Sequence, residues 1–521
     1  MRRVILALDS GTSLVKAVAF TEAGDVIATA SRPNQVQFGP GGAAEQDMAR
    51  TWADAAAVLA EVVAKLDDIE PVALAVTGQG DGTWLVDAED EPVGPALVWL
   101  DSRSVGIVEH LRENGAGQAA FAFTGTGLAA CQQAPQLLWL QRHRPETMAR
   151  ANAALHCKDW LYLNLTGVRA TDPAEASFTF GDWRTRGYRD EVLRALGLLR
   201  LRNLLPLIQD GTGEWEPLAR PAAALTGLPA GMPVVLGYLD TVCAALGAGI
   251  YGAGGDAGVS ILGSTAMHAR LVTDVDHVTP SPAMTGYCKP FPVPGHTLQA
   301  QTSMAATLNM DWLAGIVEQA ARLGGQNETL SRHQVLHRLD AAVASAKPAA
   351  ALYHPFISSA GERGPFTDGH ARASLIGLDQ DAGLPEVARG IYEGMALAAR
   401  DCYAALGGVP DEVRLTGGAA RSAPMRAILA ACLDRPVSGA AQDEAGAAGA
   451  AMIAAVSIGQ YRDMAACAAE WVAPRHTEPD LPDPKLARIY DGLFPLYRES
   501  YGAMPSLWRR LESVREAYHA S

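Results

Sequence analysis

The chain has little of what marks several large protein classes. It carries no long basic run, and over 521 residues its net charge is −15. Nucleic acid and anionic membrane surfaces are poor partners for such a chain, so an anionic ligand must be held locally, by loop amides and a cation. Cysteine is scarce: seven residues, at 131, 157, 243, 288, 402, 432 and 467, form no Cys-x-x-Cys pair. That odd, scattered set argues against a disulfide framework or a zinc site and for a reducing, cytoplasmic setting. Long apolar runs are missing too. The run after Met1-Arg2-Arg3 is broken at Asp9, too short for a signal peptide. Gly446 to Ile458 is too short to span a bilayer and reads as a buried helix. No G-x-x-x-x-G-K-[ST] occurs, which excludes a Walker-type phosphate loop, and no H-E-x-x-H marks a zinc protease. Only 19% of residues are charged while 49% are hydrophobic, a core-rich globular composition. The length calls for two or more domains.

What is present is organised around Val4 to Phe20. Two apolar runs flank the polar turn Asp9-Ser10-Gly11-Thr12-Ser13, the pattern of a β-hairpin. Such a turn offers backbone N–H groups and hydroxyls to a phosphate. Asp9, where the first strand ends, is placed to hold a cation directly or through water. A second hairpin of the same kind, Val259 to His268 around Gly263-Ser264-Thr265, follows half a chain later. With alternating strands and helices after each, the pair suggests duplication of one α/β domain.

Between the hairpins the pattern predicts a strand at Asp25–Ala30, a helix over 46–65, a buried strand at Val72–Thr77 and strands at Trp84–Val86 and Ala96–Trp99. A helix is expected from Lys158 to about Thr166. Pro, Gly and Trp punctuate Thr171 to Gly187, which reads as loop. Strand Val234–Leu236 leads into a helix over Thr241–Leu246, and Gly247 to Gly258 is the candidate hinge. In the second half, helices are expected over 309–323, 385–406, 424–433 and 444–458, with a strand at Glu412–Thr416.

Three stretches carry candidate chemistry. Gly78-Gln79-Gly80-Asp81-Gly82 is a glycine loop whose Gln79 and Asp81 suit a ligand with several hydroxyls, because an ionised carboxylate accepts from hydroxyl donors. A solvated turn explains the same residues. Asp240 follows an apolar strand, and its carboxylate suits a general base toward a substrate hydroxyl; from spacing alone, helix capping is the commoner reason for an aspartate there. Gly417-Gly418-Ala419, before a helix, lets a flat ligand or phosphate approach the backbone, or is a tight turn. Gly247-x-Gly249-x-x-Gly252 fits the dinucleotide fingerprint literally, but it follows a helix and precedes a strand, the wrong order for that turn.

Taken together, these stretches resemble the FGGY carbohydrate kinases from Val4 to about Tyr461. The matching pieces are Leu8 to Ser13, Thr77-Gly78-Gln79, Trp99-Leu100-Asp101-Ser102-Arg103, Cys157-Lys158-Asp159-Trp160-Leu161, Gly237-x-x-Asp240, Leu262 to Thr265, Ser359 to Arg363 and Gly417 to Ser422. The resemblance implies two actin-like domains of ribonuclease H type around a central cleft. Residues 1–247 would bind the sugar or polyol, and residues 248–521 would bind ATP. It implies Asp240 as catalytic base, Asp9 as the residue positioning Mg²⁺, and Gln79, Asp81, Trp84 and Asp101 as acceptor contacts. Gly11, Thr12 and Ser13, then Gly263, Ser264 and Thr265, would contact phosphates, and Gly417, Gly418, Ala419 and Ser422 would border the nucleotide. The reaction implied is transfer of the γ-phosphoryl group to a primary hydroxyl. The string Gly80-Asp81-Gly82-Thr83-Trp84 is most similar to kinases that act on erythritol: Gly80 would leave room, and Trp84 would wall the pocket. A ketopentose is the second acceptor, disfavoured because ionised Asp81 offers no donor to a carbonyl. An actin-like ATP-dependent binding protein is the reading from another class, though no appended partner-binding module is evident. The resemblance makes a homodimer the expected assembly.

Overall fold

The computed structural model describes residues 2–252, 256–325, 330–439 and 444–520. Its frame is two six-stranded mixed sheets that share five strands of one topology, each with a sixth strand at the opposite edge. The first contains β1 (Arg2–Ser10), β2 (Leu14–Thr21), β3 (Val26–Pro33), β4 (Ile69–Gly78), β5 (Glu216–Pro217) and β6 (Pro233–Leu236), in the order β5-β6-β4-β1-β2-β3. The second contains β7 (Ala257–Leu262), β8 (Ala266–Val272), β9 (Tyr287–Pro290), β10 (Thr297–Ser303), β11 (Glu412–Thr416) and β12 (Val437–Gly439), in the order β9-β10-β8-β7-β11-β12. In each sheet the hairpin strands are antiparallel (β1 with β2, β7 with β8), and two further strands run parallel to the first hairpin strand, β4 and β6 beside β1, β11 and β12 beside β7. The two hairpins are thus equivalent in place as well as in pattern. The central strand β1 is buried from Val4 to Leu8, which is why its sequence is a continuous apolar run and not an alternation.

Most expected elements are present with shifted ends. Helix α1 (Met48–Val63) starts two residues later than expected because Asp47 is its cap, accepting from the Arg50 N–H at 3.1 Å. Helix α2 (Cys157–Thr166) stops at Gly167, which takes a left-handed conformation. The stretch Thr171 to Gly187 is not a loop. It contains helix α3 (Pro173–Phe180), every residue of which is buried. Its proline occupies the first turn, where the missing N–H costs nothing, and Asp172 caps it through the N–H groups of Ala174 (2.7 Å) and Glu175 (3.3 Å). The punctuation that suggested a loop is the helix's start signal.

Helix α4 (Asp240–Gly247) follows β6, and the second half adds α5 (Leu384–Ala405), α6 (Ala423–Leu433) and α7 (Ala445–Ser457). α7 has no polar face; ten of its thirteen residues are buried, as expected of a helix enclosed by protein. It lies against α4 and against β1 and β4 of the first sheet, so a helix from the second half completes the core of the first. Close approach explains its composition: a Cβ on Gly449 would overlap the Cys243 carbonyl oxygen, and one on Gly247 would overlap that of Ala445. Gly247 is therefore a packing glycine. Of the expected hinge, residues 253–255 lie outside the described residues, while Gly249 and Gly252 have φ of +91° and +98°. All seven cysteines are free and buried. Among the described residues no helix is long and apolar enough to cross a membrane.

Candidate active site

The parallel strands of each half end at the same level, and their loops gather there. Ser10, Gly78 and Leu236 close β1, β4 and β6, and the Gln79 N–H donates to the Ser10 carbonyl at 2.9 Å. In the second half Leu262 and Thr416 close β7 and β11, where a Cβ on Gly417 would lie 2.5 Å from the Leu262 carbonyl oxygen. Ligands of open α/β sheets bind beyond such carboxyl ends.

Asp9 and Asp240 both stand at this end of the first sheet, near enough for the Asp9 charge to act on Asp240. Asp240 is the first residue of α4; the capping position is Leu239. Burial, with the nearby Asp9 charge adding to it, pushes Asp240 up to about 7. Burial likewise pushes Asp9 to about 6, opposed by Lys16 and reinforced by Glu444. Lys16 on β2 is bound to Glu444 at 2.6 Å, and the start of α7 packs so tightly that a Cβ on Gly446 would come within 2.8 Å of Asp9 Oδ2. Among the described residues no three His, Cys, Asp or Glu side chains form a metal cluster; Mg²⁺ needs no such cluster, since it takes one or two carboxylates and completes its shell with phosphate and water, and Asp9 is a carboxylate of that kind.

The first hairpin turn is tied to the rest of the site. Trp99 Nε1 donates to Thr12 Oγ1 at 2.6 Å, and the Thr12 hydroxyl contacts Gln79 Oε1 at 3.3 Å. Gln79 is buried and donates to Gln46 at 2.7 Å, so its amide braces the turn. Gly11 and Ser13 lend their carbonyls to Asn34. In the second turn the Gly263 N–H bonds the Thr265 carbonyl, and Ser264 is exposed. Gly417 and Gly418 are exposed, Gly417 with φ +89°, and nothing lies within 4 Å of a Cβ built on Gly418. Ala419 is buried, and Ser422 caps α6 through the Met425 N–H while its hydroxyl binds Asp340 at 2.7 Å.

Around Asp81 several expectations change. Asp81 adopts a left-handed conformation (φ +58°); its Oδ2 accepts from the Cys131 thiol at 3.3 Å and its buried Oδ1 has no partner. Gly80 leaves no room: a Cβ there would lie 2.6 Å from Leu239 Cδ1 and 2.8 Å from Glu175 Oε1. Trp84 is no pocket wall; it is fully buried in the first-half core, on the strand Trp84–Val86 paired with Ala153–Leu155. The tryptophan at the site is Trp99. Asp101 is engaged by protein, gripped by Arg103 (2.6 Å from Nη2) and accepting from the Ala44 N–H at 2.9 Å.

Two residues of the site went unread. Glu175, on α3, accepts from the Asp81 N–H at 3.1 Å, and burial raises its pKa. Behind it lies a buried charged group: His156 Nε2 is 3.4 Å from Glu175, His156 Nδ1 is 3.0 Å from Asp159, and Lys158 binds Asp159 and, at 2.9 Å, Asp172. Reading Thr171 to Gly187 as loop hid Glu175. The second is Lys289 on β9, which crosses from the other half to donate to Thr241 Oγ1 at 2.9 Å. Its neighbouring charges are Asp81, Glu175, Asp240 and Arg363. It supplies the donor that the argument against a ketose had found missing. Beside this cluster opens a cavity of about 560 Å³ between the halves, with Trp99, Cys131, Tyr287, Glu362 and Arg363 in its walls; Asp9, Asp81 and Asp240 do not line it.

Two α/β halves that share five strands of one topology, with paired hairpin turns and a carboxylate pair at the end of the first sheet, define an actin-like ATPase fold. The chain matches the N-terminal domain of the FGGY family of carbohydrate kinases over residues 4–247 and the C-terminal domain over residues 258–458. It belongs to that family, whose members are ATP-dependent phosphotransferases. Erythritol kinase of Brucella abortus (strain 2308) is 48% identical over 98% of both chains. Xylulose kinase of Escherichia coli (strain K12) is 31% identical over 86% of this chain and 90% of its own. Gluconate kinase from Lactobacillus acidophilus, 21% identical, aligns with a TM-score of 0.87 over 98% of this chain and 100% of its own, a likeness of fold.

Proposed function

We propose that this carbohydrate kinase transfers the γ-phosphoryl group of ATP to a primary hydroxyl of erythritol. The observation that carries the acceptor is the 48% identity to an erythritol kinase over 98% of both chains, against 31% to the xylulose kinase. The site supports it. Asp240, half-buried and with its pKa pushed up to about 7, takes the hydroxyl proton as the oxygen attacks phosphorus. Asp81 Oδ1, buried and unpartnered, accepts from another substrate hydroxyl. In this reading residues 1–247 carry the acceptor side and residues 248–521 the nucleotide side. The Gly11–Ser13 and Gly263–Thr265 turns hold phosphates, and Gly417 to Ala419 border the nucleotide. Asp9 would position, directly or through water, the Mg²⁺ that when bound neutralises phosphate charge, and Asp240 stays free to act as the base. Trp99 walls the acceptor pocket, and Glu175 fixes the Asp81 turn. The expected setting is the cytoplasm and the expected assembly a homodimer.

The test is ADP release with glycerol, erythritol, threitol, pentitols, xylulose and ribulose as acceptors. Erythritol is expected to give the highest kcat/KM, and a higher value with a ketopentose would replace it as the substrate.

A further inference from the structure

The second half contributes one side chain to the acceptor side of the cleft. Lys289 lies on β9, an edge strand of the second sheet, which packs against α3 of the first half. The seam between them is close: Phe178 and Tyr287 meet edge to face at 5.6 Å between ring centres. The Lys289 ammonium sits over both rings, 4.5 Å from the Tyr287 centre and 5.2 Å from that of Phe178; the rings attract a cation, while burial lowers the lysine's pKa from its ordinary value against the pull of the neighbouring carboxylates. The residue is 4% exposed.

An ammonium has three N–H donors. One goes to Thr241 Oγ1 at 2.9 Å. Asp81, Glu175 and Asp240 are its neighbouring carboxylates, yet none forms an ion pair or a hydrogen bond with it among the described residues. Asp81 Oδ1 is buried without a hydrogen-bond partner, whereas Glu175 Oε2 faces His156 Nε2 at 3.4 Å. A buried donor and a nearby buried acceptor left unpaired are costly unless something satisfies both. A hydroxyl bridges them, because it accepts from an ammonium and donates to a carboxylate at once.

We propose that Lys289 is a substrate-binding residue, donating to a non-reacting hydroxyl oxygen of the polyol whose proton is bonded to Asp81. The cation comes from the opposite half of the chain to the carboxylate, so the acceptor site is complete only when the two halves are together. The inference rests on the polyol reading but is judged separately from it.

The experiment compares wild type with Lys289→Met, of similar length and without donors, and with Lys289→Gln, which keeps an uncharged donor. The acceptor is whichever polyol or ketose wild type turns over best; if that is not erythritol the substrate reading falls, and Lys289 is judged on the acceptor found. Lys289→Met is expected to raise its KM about ten- to a hundredfold, the range of one charge-assisted hydrogen bond. The rise should be smaller for Lys289→Gln, with the Kd for ATP unchanged. The penalty should also vanish for a butanetriol lacking the bridged hydroxyl, an outcome that a purely structural lysine would not give. A KM within twofold of wild type in Lys289→Met, or a penalty of equal size for every acceptor including the butanetriols, overturns the proposal. Should Lys289→Met fail to fold, Lys289→Gln is held to the same two criteria.

Discussion

Asp240 and Asp81 differ in what their surroundings ask of them. Asp240 combines burial with a neighbouring carboxylate, and both favour its taking a proton. Asp240→Asn keeps the shape and removes the base, so kcat should fall about 10²–10⁴-fold while ATP binding, read by calorimetry, persists. Near-native turnover would remove Asp240 from the mechanism. Asp81 stands in a left-handed turn that asparagine also tolerates. Asp81→Asn should therefore keep the turn and lose the charge, reducing kcat/KM for erythritol about tenfold or more. The KM for ATP should stay within twofold; a larger change there would mean that Asp81 acts on the nucleotide side. His268 has no such task. Buried against Tyr403 and hydrogen-bonded to Ser260 at 2.9 Å, it is pushed by burial down to about 3. Its unfolded form, with a pKa near 6.5, binds the extra proton, so this contribution is complete above about pH 6.5 and is lost as pH falls toward 3. Relative to His268→Gln, wild type should lose about 1.4 kcal/mol per pH unit in that window. Urea titrations at pH 7, 6 and 5 check this; a gap independent of pH would show that His268 does not titrate on unfolding.

Single elements were legible where their neighbours in sequence settle them. The hairpin pattern at Val4 to Phe20 needs only its own alternation and turn, whereas a role for Asp240 came from the family resemblance, its position after a strand alone favouring a helix start. Glu175 and Lys289 were not legible, because each matters through a partner far along the chain. The reading of Gly80 as open space failed for the same reason: the space belongs to Leu239 and Glu175. Composition showed α7 to be buried but not against what. At its crossing with α4, Gly449→Ala should cost about 1–3 kcal/mol, since the added methyl meets a backbone carbonyl that must move. A denaturation midpoint equal to wild type would show that the helices separate without strain.

At the scale of the whole molecule, the duplication inferred from two hairpins holds in the order of five strands of each sheet and departs at the sixth. The linear reading of two successive halves does not describe the packing, because one core cluster draws on both, Val242 and Leu246 with Met452 and Ile453. Lys16 and Glu444 fasten the same seam beside Asp9. The halves are sequential in the gene and interleaved in space. On the ribosome, residues 1–247 emerge long before α7 is made, and until then the surface that will receive it stays wet and apolar. The nascent first half must therefore wait, incomplete, for some two hundred further residues. A stop codon anywhere in that interval would release a chain whose exposed patch invites aggregation rather than a smaller working enzyme.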